Sequence, residues 1–464
     1  MRKNVLFCYS RLPSFTNAVR DYVDAFGACS VQRIQYYDMD SGPIEFELDK
    51  FDCIIFNYCF WARCLAVTSD FTRRVAAFRG LKIAIFQDEY DYFLWHRQTI
   101  IALGVQTIVT CVPETHWRDV FQGAEFDGVE FIHALTGYVT DDLSNLPPAK
   151  SLDARAFSIG YRGRPVPFAY GRLTQEKVLI GERMKAFCEQ YGVAANIEVT
   201  EEARIYGAAW PAFIGNCRAV LGTESGSNVF DFDGSVKPAI ETYVATHPDA
   251  DFETVHALFL KDLDGKIRMN QVSPRIFEAI AMRTGLVLFE GGYSGVVRPW
   301  EHYIPLKKDF SNVGDVLRAV SDDALLGAMT ERAFNDIIAS GRYHFRTFIR
   351  RIDAHIDAKV PRAQGWLPCL ELVGWRASED EPMTPLATRG THRPTSQPLR
   401  HTDAVKDPFA GFHWNAGAFH RALMKRYEAL LYSGTGQAIK RAIAKNAVIY
   451  ALSRRVVRIL TGRG

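Results

Sequence analysis

Short apolar runs recur along the first part of the chain, and segments with a helical spacing of apolar positions separate them. Each run predicts a buried strand, and the intervals leave room for a crossover helix between neighbouring strands. The predicted strands are Val5–Tyr9, Cys53–Asn57, Lys82–Phe86, Thr107–Val112 and Val129–His133. This alternation indicates a doubly wound parallel sheet, which we expect to form a first domain of residues 1–150.

A second series of apolar runs follows residues 141–156, whose prolines and small polar residues are typical of a linker. The predicted elements are a strand at 157–161, a helix from about Thr174 to Tyr191 closed by Gly192, and a strand at 218–222. Residues 228–270 interrupt this series with a polar excursion. The fold class that these patterns predict is α/β with two Rossmann-like domains in tandem, the second spanning residues 151–360.

The end of the chain follows a different pattern. Residues 361–410 gain Pro, Thr, Arg and Asp and lose apolar periodicity, which predicts a loosely ordered linker. In the helical tail predicted for residues 411–464, cations collect opposite an apolar arc, and no acidic residue follows Glu428. Such a basic amphipathic helix, residues 437–460, is suited to an anionic membrane surface; the alternative is a terminal helix packed on its own domain.

Composition narrows the class of protein. The chain has 464 residues, 48% of them hydrophobic and 23% charged, and its net charge of +2 does not favour nucleic-acid binding. Its 9 cysteines show no CxxC pair, so reduced buried thiols are expected. Arg11 and Pro13 end the first apolar run too early for a signal peptide, and no apolar stretch reaches the length of a spanning helix. We therefore expect a cytoplasmic protein.

Residues 273–292, SPRIFEAIAMRTGLVLFEGG, carry the candidate chemistry of the second domain. Ser273 can cap a helix whose first position is Pro274, and we expect Gly285 to supply the left-handed residue after its last turn. The segment therefore predicts a short helix with a well-defined beginning, followed by a strand.

Four residues of this segment suit a nucleoside diphosphate. Arg275 and Glu278 lie near the beginning of the helix, where backbone N–H groups and the helix dipole favour an anion. Gly291 and Gly292 follow the strand Leu286–Phe289, at the edge where open α/β sheets bind ligands, and their amides can approach a phosphate closely. A carboxylate such as Glu278 can accept both hydroxyls of a ribose. The alternative is a surface ion pair followed by an ordinary turn.

Residues 157–345 resemble the C-terminal, donor-binding domain of GT-B glycosyltransferases, in particular family 4 and the CgeB-like group of cell-surface glycan synthesis. The resemblance is carried by Glu278 to Gly285, with its Glu-Ala-x-Ala-x-x-x-Gly order, by Gly291-Gly292, and by the stretches 302–312 and 341–353. It implies two Rossmann-like domains facing each other across a cleft, and a sugar moved from a UDP- or GDP-linked donor to a glycan or lipid-linked acceptor. It also implies retention of the anomeric configuration and no metal or cofactor.

The sequence departs from the family 4 pattern at the position of a second glutamate. That pattern has a second glutamate eight positions before the ribose-binding one, where this chain has Asn270, and the nearest substitute is Glu224 in GTESGSN. The family also sets an arginine and a lysine against the departing diphosphate, and Arg164 and Lys177 are the candidates here. A polar capping loop at Glu224 and ordinary surface cations are the alternatives.

The resemblance places the acceptor on the first domain. The loop QDEYDYFLWH, residues 87–96, follows a predicted strand and so projects at its carboxyl end. Asp88, Glu89 and His96 can hydrogen-bond sugar hydroxyls, and Tyr90 can stack on a sugar ring. A solvated acidic edge is the alternative.

Two other functions stay open at the level of sequence. A nucleotide-sugar epimerase has the same paired Rossmann-like domains and needs acid and base groups around the donor sugar. A non-catalytic glycan-associated protein is consistent with Asn270. Metal dependence is not expected, because Asp-x-Asp triplets such as Asp231 to Asp233 fall in the inserted excursion.

Overall fold

The described part of the chain folds into two parallel β-sheets, each flanked by helices. The computed structural model describes residues 2–11, 17–61, 67–91, 93–146, 150–207 and 209–362. The strands are β1 (Asn4–Tyr9), β2 (Arg33–Asp38), β3 (Cys53–Phe56), β4 (Leu81–Ile85), β5 (Thr107–Thr110), β6 (Glu130–His133), β7 (Phe157–Arg162), β8 (Ala195–Glu198), β9 (Cys217–Gly222), β10 (Gly285–Phe289) and β11 (Ile304–Leu306). The predicted fold class, α/β with two Rossmann-like domains facing each other across a cleft, is confirmed.

Helices cover both faces of each sheet. They are α1 (Asn17–Cys29), α2 (Tyr58–Trp61), α3 (Ser69–Ala77), α4 (Phe93–Leu103), α5 (Trp117–Val120), α6 (Asp141–Ser144), α7 (Arg172–Gln190), α8 (Ala209–Gly215), α9 (Val236–Thr246), α10 (Phe252–Val255), α11 (Pro274–Ala281), α12 (Val313–Ser321), α13 (Asp323–Ala333) and α14 (Phe345–Lys359). Because helices cover both faces, the central strands are apolar throughout, as in β1, β3 and β10.

The two sheets share one winding order. The first runs β2-β1-β3-β4-β5-β6 and the second β11-β10-β9-β7-β8, with parallel pairing throughout. In the second sheet, Ile159 of β7 lies between Ala195 of β8 and Ala219 of β9. The chain therefore reverses direction across the sheet at β7, which creates a switch point between β7 and β9.

Most predicted elements are confirmed, and one predicted role is wrong. The strands predicted from long apolar runs lie within about two residues of β1, β3, β4, β5, β6, β7, β9 and β10. Helix α11 begins at Pro274 as expected, but Gly285 is the first residue of β10. Arg283, at a φ of 47°, takes the left-handed conformation instead. Gly285 is required by packing, since a Cβ there would lie 2.5 Å from the Leu326 side chain.

The predicted polar excursion, residues 228–270, is an ordered helical insertion that contacts the first domain. It contains α9 and α10 around a small apolar core, and Phe230, Ile267 and Met269 pack into the core of the first domain. The Asp231 amide donates to the Tyr90 carbonyl over 2.9 Å. The insertion thus connects the two domains on one side of the cleft.

The chain also returns to the first domain at its last described helix. Helix α14 packs against α1, where Tyr22 meets Phe345 edge-on at 5.4 Å and Tyr138 stacks on Phe348 at 4.5 Å. The two connections between the domains pair side by side, because Val139 exchanges backbone hydrogen bonds with Tyr343 and Phe345. Residues 151–360, predicted as the second domain, thus include a helix that packs on the first.

Apart from residues 361 and 362, the predictions for the tail lie outside the described residues. These are the linker at 361–410, the helical tail at 411–464 and the membrane-binding helix at 437–460. Within the ranges that the structure does describe, none of the helices is long and apolar enough to cross a membrane.

Candidate functional site

A cavity of about 250 Å³ lies at the switch point of the second sheet. The residues after β7, Gly163 and Arg164, form one wall, and those after β9, Thr223 and Ser225, form another. Ser273, at the beginning of α11, also lines it. Ligands of open α/β sheets bind at this position, because neighbouring loops leave the sheet in opposite directions there and open a crevice.

The cavity wall is strongly basic. Arg164, Lys177 and Arg275 line it, together with Arg162 and Arg204, and no carboxylate is among its lining residues in the described part of the chain. Of these cations, Arg204 pairs with Glu201 at 2.6 Å, outside the lining. Since like charges crowd here with no acidic residue in the wall, the cavity is suited to an anion.

Lys177 shows this charge crowding directly. Its ammonium group makes no hydrogen bond or ion pair with any residue that the structure describes. Desolvation lowers the pKa of Lys177, and the positive charges of Arg164 and Arg275 lower it further, while Asp88 of the first domain acts in the opposite direction. A bound anion would relieve the repulsion among the three cations, which is a favourable contribution to its binding.

Gly163 allows this wall to form. A Cβ at this position would lie 2.8 Å from the Tyr161 ring and 2.9 Å from the Lys177 carbonyl, so no larger residue fits without movement of the backbone. The Tyr161 hydroxyl donates to the same carbonyl over 2.9 Å and ties helix α7 to strand β7. The sequence thus holds Arg164 and Lys177, which are thirteen positions apart, on one wall.

Glu278 lies beside the cavity, in contact with a residue that sequence reasoning missed. The Trp210 indole N–H donates to the Glu278 carboxylate over 2.6 Å, and the Arg275 guanidinium lies 5.0 Å from the centre of the Trp210 ring. Burial raises the pKa of Glu278, while the Trp210 hydrogen bond and the Arg275 charge act to lower it. The sequence offers no local signal for this contact, because Trp210 and Glu278 are 68 positions apart.

Glu224 has a structural role in the loop after β10. One carboxylate oxygen accepts the amides of Gly292 and Tyr293 over 2.9 and 2.8 Å, and the other accepts the Asn270 side-chain amide over 2.5 Å. A Cβ on Gly291 would lie 2.7 Å from this carboxylate, which explains the first glycine. The substitute glutamate and the asparagine in the family's glutamate position are therefore hydrogen-bonded to each other.

This arrangement differs from the phosphate-binding turn expected for the glycine pair. The amides of Gly292 and Tyr293 are both taken by Glu224. Neither glycine nor Glu224 is among the residues that line the cavity. The Gly292 amide and the Glu224 carboxylate hold the loop together instead of facing a ligand.

The four predicted acceptor-binding residues of the loop 87–96 form two pairs with different surroundings. Asp88 lies at the cleft, where the Tyr90 hydroxyl donates to it over 2.7 Å. Protein atoms crowd the Asp88 carboxyl although the residue keeps a solvent-exposed surface, and this desolvation raises its pKa, while Tyr90 and Lys177 act to lower it. Asp88 therefore lies near the Lys177 charge of the basic cavity, while the Tyr90 ring packs edge-on against Tyr170 and Phe230 of the second domain.

Glu89 lies in the interior instead, and His96 is partly buried. Glu89 is 0% exposed, and its carboxylate accepts a hydrogen bond from the Thr110 hydroxyl. The His96 ring packs against Trp61 and Phe86, and burial lowers its pKa to about 4. The enclosed Glu89 carboxylate cannot contact an acceptor, whereas His96 keeps part of its surface exposed and its predicted contact stays a prediction.

The described residues contain no group of three His, Cys, Asp or Glu side chains placed to hold a metal ion. Asp231, of the first Asp-x-Asp triplet in the insertion, accepts the amides of Val236 and Lys237 over 3.2 and 3.0 Å at the beginning of α9. Its carboxylate thus serves as a helix-capping group.

Comparison with known proteins adds similarity of fold at low identity. Neither a protein-family model nor a curated protein matches the sequence. Among solved structures, HepE of Anabaena in complex with UDP shows 11% identity and a TM-score of 0.44 over 77% of this chain and 100% of that protein. An alpha-glucosyltransferase in complex with UDP and DNA shows 10% identity and a TM-score of 0.44 over 77% and 100%.

TarM shows 11% identity and a TM-score of 0.37, and the match covers 66% of this chain. The chain spans about half the length of TarM, 54%. At these identities and scores the similarity does not bear on activity.

Proposed function

We propose that the protein is a glycosyltransferase that moves a sugar from a UDP- or GDP-linked donor to a glycan or lipid-linked acceptor. The cluster of Arg164, Lys177 and Arg275 at the switch point, opposite the first domain, carries the proposal. Breaking the bond between an anomeric carbon and a diphosphate leaves negative charge on phosphate oxygens. Cations placed there stabilise the transition state more than the ground state.

The other residues of the site have roles consistent with this chemistry. Glu278 would accept the ribose hydroxyls, because its carboxylate lies beside Trp210 and Arg275 at the cavity. Asp88 and Tyr90 would hydrogen-bond the acceptor from the opposite wall. Glu224 supports the site indirectly, through the loop that it holds.

The remaining parts of the proposal come from the resemblance, from the net charge and from the basic amphipathic pattern of the tail. They are synthesis of a surface polysaccharide in the cytoplasm, peripheral contact with the inner membrane through residues 437–460, no nucleic-acid partner, no metal requirement and retention of configuration. In a retaining transfer the departing phosphate oxygen takes the acceptor proton, and the basic cluster would neutralise that phosphate. Anomeric proton couplings of the product test the last point, and an inverted product would refute it.

Donor binding is the first test of this function. Thermal unfolding is measured with UDP-, GDP- and dTDP-sugars; a ligand at 100 times its Kd adds about 2.7 kcal/mol to the free energy of unfolding. We expect one nucleotide class to stabilise the wild type, and Lys177→Met to lose most of that effect. Lys185→Met is the matched control, because Lys185 lies on the same helix but pairs with Glu198 outside the cavity.

Absence of stabilisation by every donor would refute the proposal. Once a donor that binds has been identified, its products are analysed. A transferase transfers or hydrolyses the sugar, whereas an epimerase converts the sugar nucleotide into its epimer. Tight binding with no turnover on any acceptor would indicate a non-catalytic protein.

A further inference from the structure

Trp210 contacts both Glu278, which the proposed function assigns to the ribose, and Arg275, which it assigns to the pyrophosphate. It lies in helix α8 and lines the cavity. Its indole N–H holds one oxygen of Glu278 over 2.6 Å, and its ring carries the Arg275 guanidinium at 5.0 Å. Neither the sequence motifs nor the resemblance gives this residue a role.

The Trp210 ring is itself held in place. It stacks on Phe213 with ring centres 5.7 Å apart and planes at 24°, and the Arg162 guanidinium covers Phe213 at 4.4 Å. Arg275 closes the stack by donating to the Arg162 carbonyl over 2.5 Å. Four planar side chains are thus packed in the order Arg162, Phe213, Trp210, Arg275. A stack fixed at both ends leaves the indole little freedom to rotate.

Each contact of Trp210 restricts a group that must be pre-oriented. The carboxylate of Glu278 is held by its Oε2 atom, and Oε1 makes no hydrogen bond to any residue described by the structure. Arg275 is held between the indole ring and the Arg162 carbonyl, which orients its other N–H groups. Restricting a side chain before the ligand arrives lowers the entropy cost of binding.

We infer that Trp210 is a positioning residue for a nucleoside diphosphate. Its N–H orients Glu278 toward the ribose hydroxyls, and its ring orients Arg275 toward the pyrophosphate. This inference rests on the proposed function. The two halves of the ligand therefore depend on different parts of one side chain, so the two contacts can be separated by substitution.

The test combines two substitutions with three ligands in calorimetric titrations. Trp210→Phe keeps a ring under Arg275 and removes the N–H, whereas Trp210→Leu removes both. The ligands are UDP or GDP, whichever binds the wild type, its 2′,3′-dideoxy analogue, and inorganic pyrophosphate. We expect Trp210→Phe to weaken the ribonucleotide about tenfold, the loss of one hydrogen bond to a charged group, and to leave the other two ligands unchanged. Trp210→Leu should weaken all three.

Controls separate positioning from general damage. Trp300→Phe, at a tryptophan that is 50% exposed and outside the cavity lining, should change none of the affinities. Glu278→Gln should reproduce the selective loss of ribonucleotide affinity, and unchanged pyrophosphate binding by Trp210→Phe shows that the variant is folded.

The outcomes distinguish the inference from the function on which it rests. If the wild type binds no nucleoside diphosphate, the proposed function fails. If the wild type binds one and Trp210→Phe weakens the ribonucleotide and its dideoxy analogue equally, or binds the ribonucleotide as well as or better than the wild type, the positioning role is refuted.

Discussion

Replacing Glu89 by glutamine should change how the stability of the protein depends on pH. The Glu89 side chain is fully enclosed, with one carboxylate oxygen bonded to the Thr110 hydroxyl and the other, Oε2, without a partner among the described residues. Burial raises its pKa from 4.5 to about 7. The folded protein thus binds a proton at this site at pH values where the unfolded chain has already lost it.

The size of the effect follows from the two pKa values. Each tenfold change in proton affinity corresponds to about 1.4 kcal/mol, so the difference between 4.5 and about 7 corresponds to about 3 kcal/mol. The contribution of Glu89 to stability is fully present below pH 4.5 and is lost as the pH rises to about 7, because the folded state must then hold an ionised buried carboxylate.

The assay is urea unfolding of the wild type and of Glu89→Gln between pH 4 and 8.5, followed by tryptophan fluorescence. The unpaired amide of the glutamine costs about 1–3 kcal/mol at every pH. This cost does not depend on pH. Between pH 4.5 and 7, the free energy of unfolding of the variant minus that of the wild type should therefore rise by about 3 kcal/mol.

The pH dependence of the wild type also contains a contribution from His96. The difference in the free energy of unfolding between the wild type and Glu89→Gln is therefore more informative than the pH profile of either protein alone. Burial lowers the pKa of His96 from 6.5 to about 4, so its contribution to stability increases as the pH rises through that range, opposite in sign to that of Glu89. The contribution of His96 is common to both proteins and cancels in the difference. Glu182→Gln, at an exposed position on α7, is the matched control. A pH-independent difference between the wild type and Glu89→Gln would refute the burial argument.

Two further predictions concern the second domain. Affinity for a nucleoside diphosphate should fall as the pH is lowered, because burial raises the pKa of Glu278 and its ionised form accepts the ribose hydroxyls more strongly than its protonated form; in calorimetric titrations from pH 8 to 5, a constant affinity would contradict this role. Gly291→Ala should lower the free energy of unfolding by about 1–3 kcal/mol, because its Cβ would lie 2.7 Å from the Glu224 carboxylate; Gly128→Ala, with no atom within 4 Å of its Cβ, should unfold in urea like the wild type.

Most of the strands that sequence reasoning found are central strands, whose apolar runs fill both faces of a sheet. Strand β2, with the sequence RIQYYD, lies at the sheet edge and keeps polar residues, so its pattern is not distinctive. Strand β11 has three residues, too few for any periodicity. Local pattern thus identifies the central strands of both described sheets and, among their four edge strands, only β6.

The residues of the candidate site also divide into those that local pattern predicts and those whose position depends on distant segments. Arg164, Lys177 and Arg275 are predictable because each follows or begins an element at the carboxyl end of a strand, where the topology brings them together. Glu89 and Asp88 are neighbours in sequence, yet one is enclosed and the other faces the cleft, which depends on Thr110 in an adjacent strand. Contacts between distant segments leave no trace in a local pattern.

The return of α14 to the first domain has a practical consequence for dissecting this protein. A fragment that stops at residue 146 would lack Phe345 and Phe348 and would expose the apolar face of α1 on which they pack. An isolated first lobe therefore needs residues 1–146 joined by a short spacer to 345–362, and it would still lack Phe230, Ile267 and Met269 of the insertion. The adjacent backbones at Val139 and Phe345 mark where that spacer belongs.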